Sequence, residues 1–387
     1  DGHQILTTAS LVRPVVKFDV KSASTTVGDP ITGGNGGSNA ADDQLIPAIY
    51  AVVDLDRAID FVDNVRFGVA ITVPFGLETD YHNDWAGRYH ALQSKLRSVN
   101  VSPTLAFDIV EGLSIGAGLQ TQYVDAELSN AIDFGSIGDG IIPFAEPTQQ
   151  DGKARVTGDD WGFGWTLGLL YEPWTGTRFG LSYRSHIRHE LDGNARFKLD
   201  SDGVGQAISG DTGAFTNTGA NATLETPESL LFGLYHDIDD QWSVMANASW
   251  TRWSRIKELR VRFDNPDQPD SVTESDWTDT WFVAAGTTYR PTPSWAIRLG
   301  AAYDQSPVPN RTRTPRVPDS DRYWLSVGAS YTFSDAMDFT FGYAHIFSPE
   351  GSVRLQSDQP GNGPRGNLSG DVDASVDLVG LQFRWAF

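Results

Sequence analysis

Alternation with a period of two is the feature that most narrows what this chain can fold into. Consecutive strand side chains point to opposite faces, so such a run builds one apolar wall and one small or polar wall. Over 113–123, Leu113, Ile115, Ala117, Leu119 and Tyr123 share a face, against Ser114, Gly116, Gly118, Gln120 and Gln122. Over 322–333, Tyr323, Leu325, Val327, Ala329, Tyr331 and Phe333 oppose Arg322, Ser326, Gly328, Ser330 and Thr332. Trp281, Val283, Ala285 and Tyr289 oppose Ala284, Gly286 and Thr288. The chain ends on Val379, Leu381, Phe383, Trp385 and Phe387 against Gly380, Gln382 and Arg384. Strands of a soluble sandwich average about 5–6 residues, whereas these runs reach the roughly 9–11 that cross a tilted bilayer path. Aromatics gather at the ends of the apolar walls, as girdles at two membrane interfaces require. The pattern predicts a transmembrane barrel, not a soluble sandwich or a propeller.

Composition agrees where it discriminates. No apolar run is long enough for an ordinary transmembrane helix. A mean hydropathy of -0.30 does not oppose a barrel, because alternation hides lipid-facing residues from any average. Plentiful Gly (39), Trp (12), Tyr (12) and Phe (20) beside only 2 Met suit paired strands with interfacial rings. With no cysteine, disulfides and thiolate metal sites are excluded. A net charge of -21 argues against nucleic acid and against an anionic lipid surface as electrostatic partners.

Connector lengths supply the orientation. Short turns are expected near Val110-Glu111-Gly112 and at 172–176, 237–241, 290–294 and 334–336. Long loops are expected at 21–43, 78–94, 129–151, 200–221, 265–274, 304–320 and 348–371. Short and long alternate, as when turns face the periplasm and loops face outward. The expectation is an all-β, antiparallel barrel of about fourteen strands, one domain over residues 1–387, acting as a monomer in the bacterial outer membrane and contacting its lipid.

Two features point to apolar cargo. The segment 131–144 carries Ile132, Phe134, Ile137, Ile141, Ile142 and Phe144, which is costly in a surface loop unless it packs on another loop or captures something greasy. Packing would be on Ala214, Phe215 and their neighbours; a groove between the two loops would serve both purposes. The second feature is Val73-Pro74-Phe75-Gly76, which follows the regular alternation of Val65, Phe67, Val69 and Ile71. Proline removes a ladder hydrogen bond and glycine tolerates a bend, so the pair marks a bulge that ends the strand or a kink that opens the wall. Sideways exit through such a window avoids rehydrating an apolar chain at roughly 0.8 kcal/mol per methylene.

Several segments resemble the FadL family of outer-membrane transporters for long-chain fatty acids and, in its hydrocarbon branch, monoaromatics. They are Trp161-Gly162-Phe163-Gly164-Trp165, Leu169-Leu170-Tyr171-Glu172, Leu181-Ser182-Tyr183-Arg184-Ser185, the stretch 284–289, Ser306-Pro307-Val308-Pro309, and 318–326. The resemblance runs over most of the chain, and 306–326 is its most specific part. It implies a fourteen-stranded barrel, a capture groove in the outer loops and lateral exit at a kinked third strand, on which Val73 to Gly76 fall. The terminal Phe387 is similar to the signal read by the barrel assembly machinery. The family's amino-terminal hatch carries an Asn-Pro-Ala element that does not occur here, so the hatch is expected to be absent from this chain.

The resemblance also implies basic residues after the fifth strand and in a later outer loop, to anchor a fatty-acid carboxylate. The first region here reads Asp125 to Asn130 with no base, and the second, Asp270 to Asp276, is acidic. That leaves neutral or monoaromatic hydrocarbons as the alternative to long-chain fatty acids. Arg184, Arg298 and Arg322 lie on the polar walls of strands and are expected to point into the lumen as possible polar contacts. A general porin and an outer-membrane lipid hydrolase are the readings from other classes. No nucleophile-elbow, zinc-protease or phosphate-loop motif occurs, so no catalytic residue, cofactor or metal is expected. His186 and His189 read as solvated, and Asp237, Asp239 and Asp240 lack a full calcium-ligand spacing.

Overall fold

The computed structural model describes residues 2–55 and 64–387. Its strand segments form one sheet that winds into a closed antiparallel barrel of fourteen strands among the described residues. The first strand, Gln4–Ser24, pairs with the second, Gln44–Asp54, and on its other side with the last, Asn367–Ala386. The third strand is in two pieces, Arg66–Thr72 and Gly76–Asp80; the fourth is Gln93–Val110, the fifth Leu113–Asp133 and the sixth Asp151–Trp174. The seventh, eighth and ninth are also interrupted, as Thr177–Arg184 with Ile187–Lys198, Thr218–Thr226 with Ser229–Asp237, and Trp242–Thr251 with Glu258–Phe263. Thr280–Thr292, Trp295–Asp304, Arg322–Ser334 and Met337–Phe347 complete the wall. Among the described residues no helix is long and apolar enough to cross a membrane; the strands cross instead.

The alternation sorts as the sequence predicts. Leu119 (66% exposed), Phe163 (72%) and Leu325 (57%) stand on the outer wall, a surface that only lipid makes affordable. Neighbouring strands stack their aromatics into girdles, such as Tyr123 on Trp161 at 5.1 Å, Tyr303 on Tyr323 at 5.3 Å and Trp295 on Tyr331 at 5.0 Å between centroids.

Strand length differs from expectation. The first, fifth and sixth strands run for 21, 21 and 24 residues, well beyond the roughly 9–11 a bilayer needs. Their upper thirds stand outside the membrane, so Ala131, Ile132 and Asp133 are strand rather than loop, paired with Lys153, Gly152 and Asp151. Pairing continues there because the partner strand continues; bilayer thickness sets no limit once both strands have left it.

The main hydrophobic core sits at the extracellular end. Phe18, Tyr81, Trp85, Tyr89, Leu92, Val353, Leu355, Leu368 and Val372 are all buried in it. Trp85 is 0% exposed, stacked on Tyr81 at 4.3 Å and edge-on to Phe18 at 5.3 Å. The connector between the third and fourth strands therefore folds back over the barrel mouth. Below that core the described residues enclose a cavity of about 880 Å³ bordered by Arg178, Asn247, Phe282, Arg298 and Trp324. Glycines face each other across its wall, with Gly180 paired to Gly233, Gly286 to Gly300, and Gly328 to Gly342 to Gly380.

Candidate functional site

The wall is interrupted at Val73-Pro74-Phe75-Gly76. Ladder pairing with the fourth strand holds up to Thr72↔Asn100 and resumes at Gly76↔Arg97. Three residues of the third strand thus face only Ser98 and Val99, which makes a bulge. Pro74 has no amide hydrogen to give the ladder. Ser98 closes part of the gap: its amide and its hydroxyl donate to the Phe75 carbonyl at 3.1 and 2.7 Å. On the other side, the second strand pairs with the third only over Ile49–Asp54. Its upper residues 44–48 bond to the first strand alone, so the backbone ladder is missing along this seam. A side-chain bridge crosses it: Gln44 Nε2 donates to Glu78 Oε2 at 2.7 Å, and Glu78 Oε1 accepts from Lys95 Nζ at 2.6 Å.

Phe75 reaches across the lumen. Its ring meets Trp253 edge-on at 6.0 Å and lies 5.5 Å from the Arg184 guanidinium, and Trp253 in turn meets Trp277 at 5.3 Å. Trp253 belongs to a single helical turn, Trp253–Arg255, where the ninth strand breaks and dips inward. The buried Glu228 carboxylate fixes that turn by accepting from Arg252 Nη1 at 3.1 Å, from Arg255 Nη2 at 2.9 Å and from Arg255 Nε. A kink on one wall and an inward turn on the opposite wall thus meet in a narrow aromatic contact.

Of the three arginines expected to point into the lumen, Arg298 borders the cavity, and all three have unlike surroundings. Arg322 is neutralised by Asp304 at 3.0 Å and Asp319 at 2.9 Å. Arg298 donates to Ser330. Arg184 has no acidic partner, and its Nη2 is buried without a hydrogen-bond acceptor among the described residues.

His189 is not solvated: it is fully buried, while His186 is exposed. Its Nε2 pairs with Gln122 Oε1 at 3.0 Å, and that oxygen also accepts from Thr226 Oγ1 at 3.2 Å. The space comes from the alternation Trp161-Gly162-Phe163-Gly164-Trp165, whose glycines face inward. A Cβ on Gly162 would lie 2.4 Å from Ile187 Cγ2 and 2.7 Å from His189 Cε1.

The apolar outer segment divides in two. Phe134 is fully buried and packs with Val204 and Ile208, flanked by Ile132, Ile137, Ile142 and Phe215. Val204–Thr212 is a helix inside what the sequence suggested was a plain loop. Ile141 (80% exposed) and Phe144 (53%) instead stand free on this loop pair.

The family profile described as outer membrane protein transport protein (OMPP1/FadL/TodX) matches residues 1–387. The chain belongs to this family. It is 29% identical over 357 residues to the long-chain fatty acid transport protein of Salmonella typhi, covering 90% of this chain and 78% of that one. A Pseudomonas aeruginosa FadL homologue superposes over 100% of this chain and 91% of its own, with a TM-score of 0.90 and 26% identity. The Pseudomonas putida toluene transporter TodX has the same fold, with a TM-score of 0.69 at 17% identity over 100% of this chain and 90% of that one. Like the family's barrels, this one resides in the bacterial outer membrane.

Within this FadL-type barrel the sequence left three cationic or polar groups unassigned. Arg316, 6% exposed, donates to the Gln93 carbonyl at 3.1 Å, to Ser94 Oγ at 3.0 Å and to Asn130 Oδ1 at 3.3 Å. Arg365, half-buried, donates to Thr273 Oγ1 and Ser271 Oγ, both at 3.1 Å. His90, 4% exposed, bonds the Gly366 backbone and has an Nε2 with no partner among the described residues. All three belong to outer loops. Read in sequence, loop arginines look solvated, and only the folding-over of the barrel mouth buries them.

Proposed function

We propose that this barrel takes up hydrophobic molecules across the outer membrane, capturing them at the outer loops and releasing them sideways at the kinked third strand. The carrying observation is the seam between residues 44–48 and 73–80, which lacks a backbone ladder. The ladder is also broken between the sixth and seventh strands over 160–165, but there the Ser185 amide bonds the Trp165 carbonyl at 2.9 Å. A water-filled porin needs no such break, whereas a greasy solute gains by leaving into lipid at roughly 0.8 kcal/mol per methylene kept from water. Ile141 and Phe144 are the exposed apolar residues placed to receive cargo, and the contact of Phe75 with Trp253 and Arg184 is the constriction beside the exit. The long-chain fatty acid transporters among the relatives support uptake of such compounds.

The test is uptake of radiolabelled oleate and toluene by cells whose only such barrel is this chain. With Pro74→Ala and Gly76→Val combined, restoring a regular third strand, uptake should fall several-fold while the folded barrel still reaches the membrane. Unchanged uptake in that variant would rule out lateral exit.

A further inference from the structure

Charges on the outer wall follow a pairing that reverses at one place. Across neighbouring strands Arg13 faces Asp377, Lys17 faces Asp373, Lys95 faces Glu127, Arg97 faces Asp125 and Arg188 faces Glu225. Where Asp19 faces Asp371, both carboxylates share Lys21. Above the membrane the sixth and seventh strands do the opposite. Lys153 is paired with Lys198 and Arg155 with Arg196, the only rungs among the described residues where a cation faces a cation. Lower on the same wall, Asp159 faces Asp125 on one side and Asp192 on the other. Directly opposed like charges weaken a sheet, so this segregation has a cost that the fold itself does not explain.

Three of the four cations have no counter-ion. Glu127 accepts from both edges of the Arg155 guanidinium, at 2.6 and 2.7 Å, which leaves Lys153, Arg196 and Lys198. None of these has a carboxylate within 4 Å among the described residues, and Lys153 reaches Asn83 Oδ1 at 3.4 Å. Arg196 and Lys198 are exposed. Height decides what meets them. Trp161, packed on Tyr123, belongs to the outer aromatic girdle and marks the membrane interface. At about 3.3 Å per residue and a tilt of about 40°, the level of Arg155 and Arg196 stands about 15 Å above Trp161, and that of Lys153 and Lys198 about 20 Å. The row Asp125, Asp159 and Asp192 lies between, about 5 Å above the girdle. An anion at the interface meets those carboxylates, whereas an anion carried 15–20 Å higher, by the same rise of about 3.3 Å per residue, meets the cations.

We propose that Lys153, Arg196 and Lys198 form a docking surface for the phosphorylated inner-core saccharide of a neighbouring lipopolysaccharide in the outer leaflet. Those sugars carry covalent phosphate above the lipid headgroups, at the height of the cations. A phosphate lying across the two rungs turns repulsion between facing cations into shared attraction, with the guanidinium offering a fork of donors and the ammonium groups point charges. The acidic row below sets the register, because it repels the lipid phosphates at the interface and leaves the core phosphates to dock. The net charge of -21 hides this patch, since a sum over the chain is blind to where its cations gather. Lys198 also precedes the loop whose Val204 and Ile208 pack on Phe134, so a docked saccharide braces the foot of that loop pair. The surface lies on the outside of the wall and is independent of the route taken by cargo.

The experiment measures binding of fluorescently labelled lipopolysaccharides to the full chain in nanodiscs, with a chelator present to remove cation bridges to the acidic row. Three lipids are compared: one with a phosphorylated heptose core, the same core without its phosphates, and a truncated form that ends before the heptoses. The unaltered barrel should prefer the phosphorylated core. Combining Lys153→Gln, Arg196→Gln and Lys198→Gln should weaken that lipid by about five-fold per charge, so about a hundred-fold in all, and leave the other two unmoved. Lys153→Arg with Lys198→Arg should keep the preference, which separates charge from shape. Arg188→Gln, on the lower part of the same strand, should change nothing. The unfolding temperature of the triple variant in lipid-free detergent should hold or rise, since facing like charges are removed. Equal affinity of the unaltered barrel for phosphorylated and unphosphorylated cores overturns the proposal. So does an unchanged affinity in the triple variant, and so does equal weakening of all three lipids, which would assign the cations to the lipid phosphates instead.

Discussion

Replacing Glu228 by glutamine tests whether the inward turn of the ninth strand is held by charge. The carboxylate is 4% exposed and takes three side-chain bonds, one from Arg252 and two from Arg255. Glutamine keeps the shape and part of the bonding but removes the charge. The arginines stay cationic, so each bond falls from an ion pair toward the lower end of the range of about 1.5–3 kcal/mol for bonds to a charged group, a loss of about 1 kcal/mol each. The Arg252 side chain is 50% exposed and its bond is screened to near nothing, whereas the Arg255 side chain is 24% exposed and keeps both. The turn should weaken by about 2 kcal/mol, which raises its open population roughly 30-fold. Hydrogen exchange of the protein in nanodiscs reads this directly. The Arg252 amide, bonded to the Glu228 carbonyl at 3.0 Å, and the Ile256 amide, bonded to Trp253 at 2.9 Å, should exchange about that much faster. Amides of the Gly286–Gly300 ladder should not change. With the Phe75–Trp253 contact loosened, oleate uptake should rise. If exchange over 252–256 stays within about three-fold of the parent, the charge is not what holds the turn.

Three further outcomes follow from the same geometry. Gly162→Ala should cost about 1–3 kcal/mol by overpacking against Ile187 and His189, seen as a lower unfolding temperature in detergent, while Gly168→Ala, whose Cβ meets nothing within 4 Å, should leave that temperature unchanged. Phe134→Ala should cost about 3–5 kcal/mol and expose 134–150 to protease; Ile141→Ser with Phe144→Ser should leave protease resistance intact and slow hydrophobic uptake. His90 is held to about 3 in the folded loops, against about 6.5 when unfolded. Its depressed folded value means that the unfolded state binds the extra proton, so the loop cap is fully stable above about 6.5. That stability falls by about 1.4 kcal/mol per pH unit between there and about 3; protease sensitivity of 81–92 at pH 7 and pH 5 measures it, and His90→Gln should flatten the difference.

The barrel was readable in the sequence because period-two alternation is a local property. Each run from Leu113 to Tyr123 or Arg322 to Phe333 declares its two faces without reference to its neighbours. The kink was readable for the same reason, since proline and glycine act on their own backbone. The upper thirds of the long strands were not, because above the bilayer nothing enforces alternation: Ala131 and Asp133 are strand only because Lys153 and Asp151 lie opposite. The burial of His189 depends on Gly162 being next to it in space, 27 positions away in the chain. Arg316, Arg365 and His90 were hidden for a deeper reason. Their environment is made by three loops closing over one another, and residue type alone makes a loop arginine look solvated.

The glycines facing the cavity have a consequence for how the bore of the barrel can change. At Gly168, Gly180, Gly233 and Gly342 an added Cβ meets nothing within 4 Å. Side chains there would meet none of the described residues and leave the hydrogen-bonded wall untouched. The calibre of the conduit is therefore set by positions almost free of folding constraint. Single substitutions could narrow it step by step, for a slimmer solute or against a bulky antibiotic, while the aromatic girdles keep the same seat in the membrane.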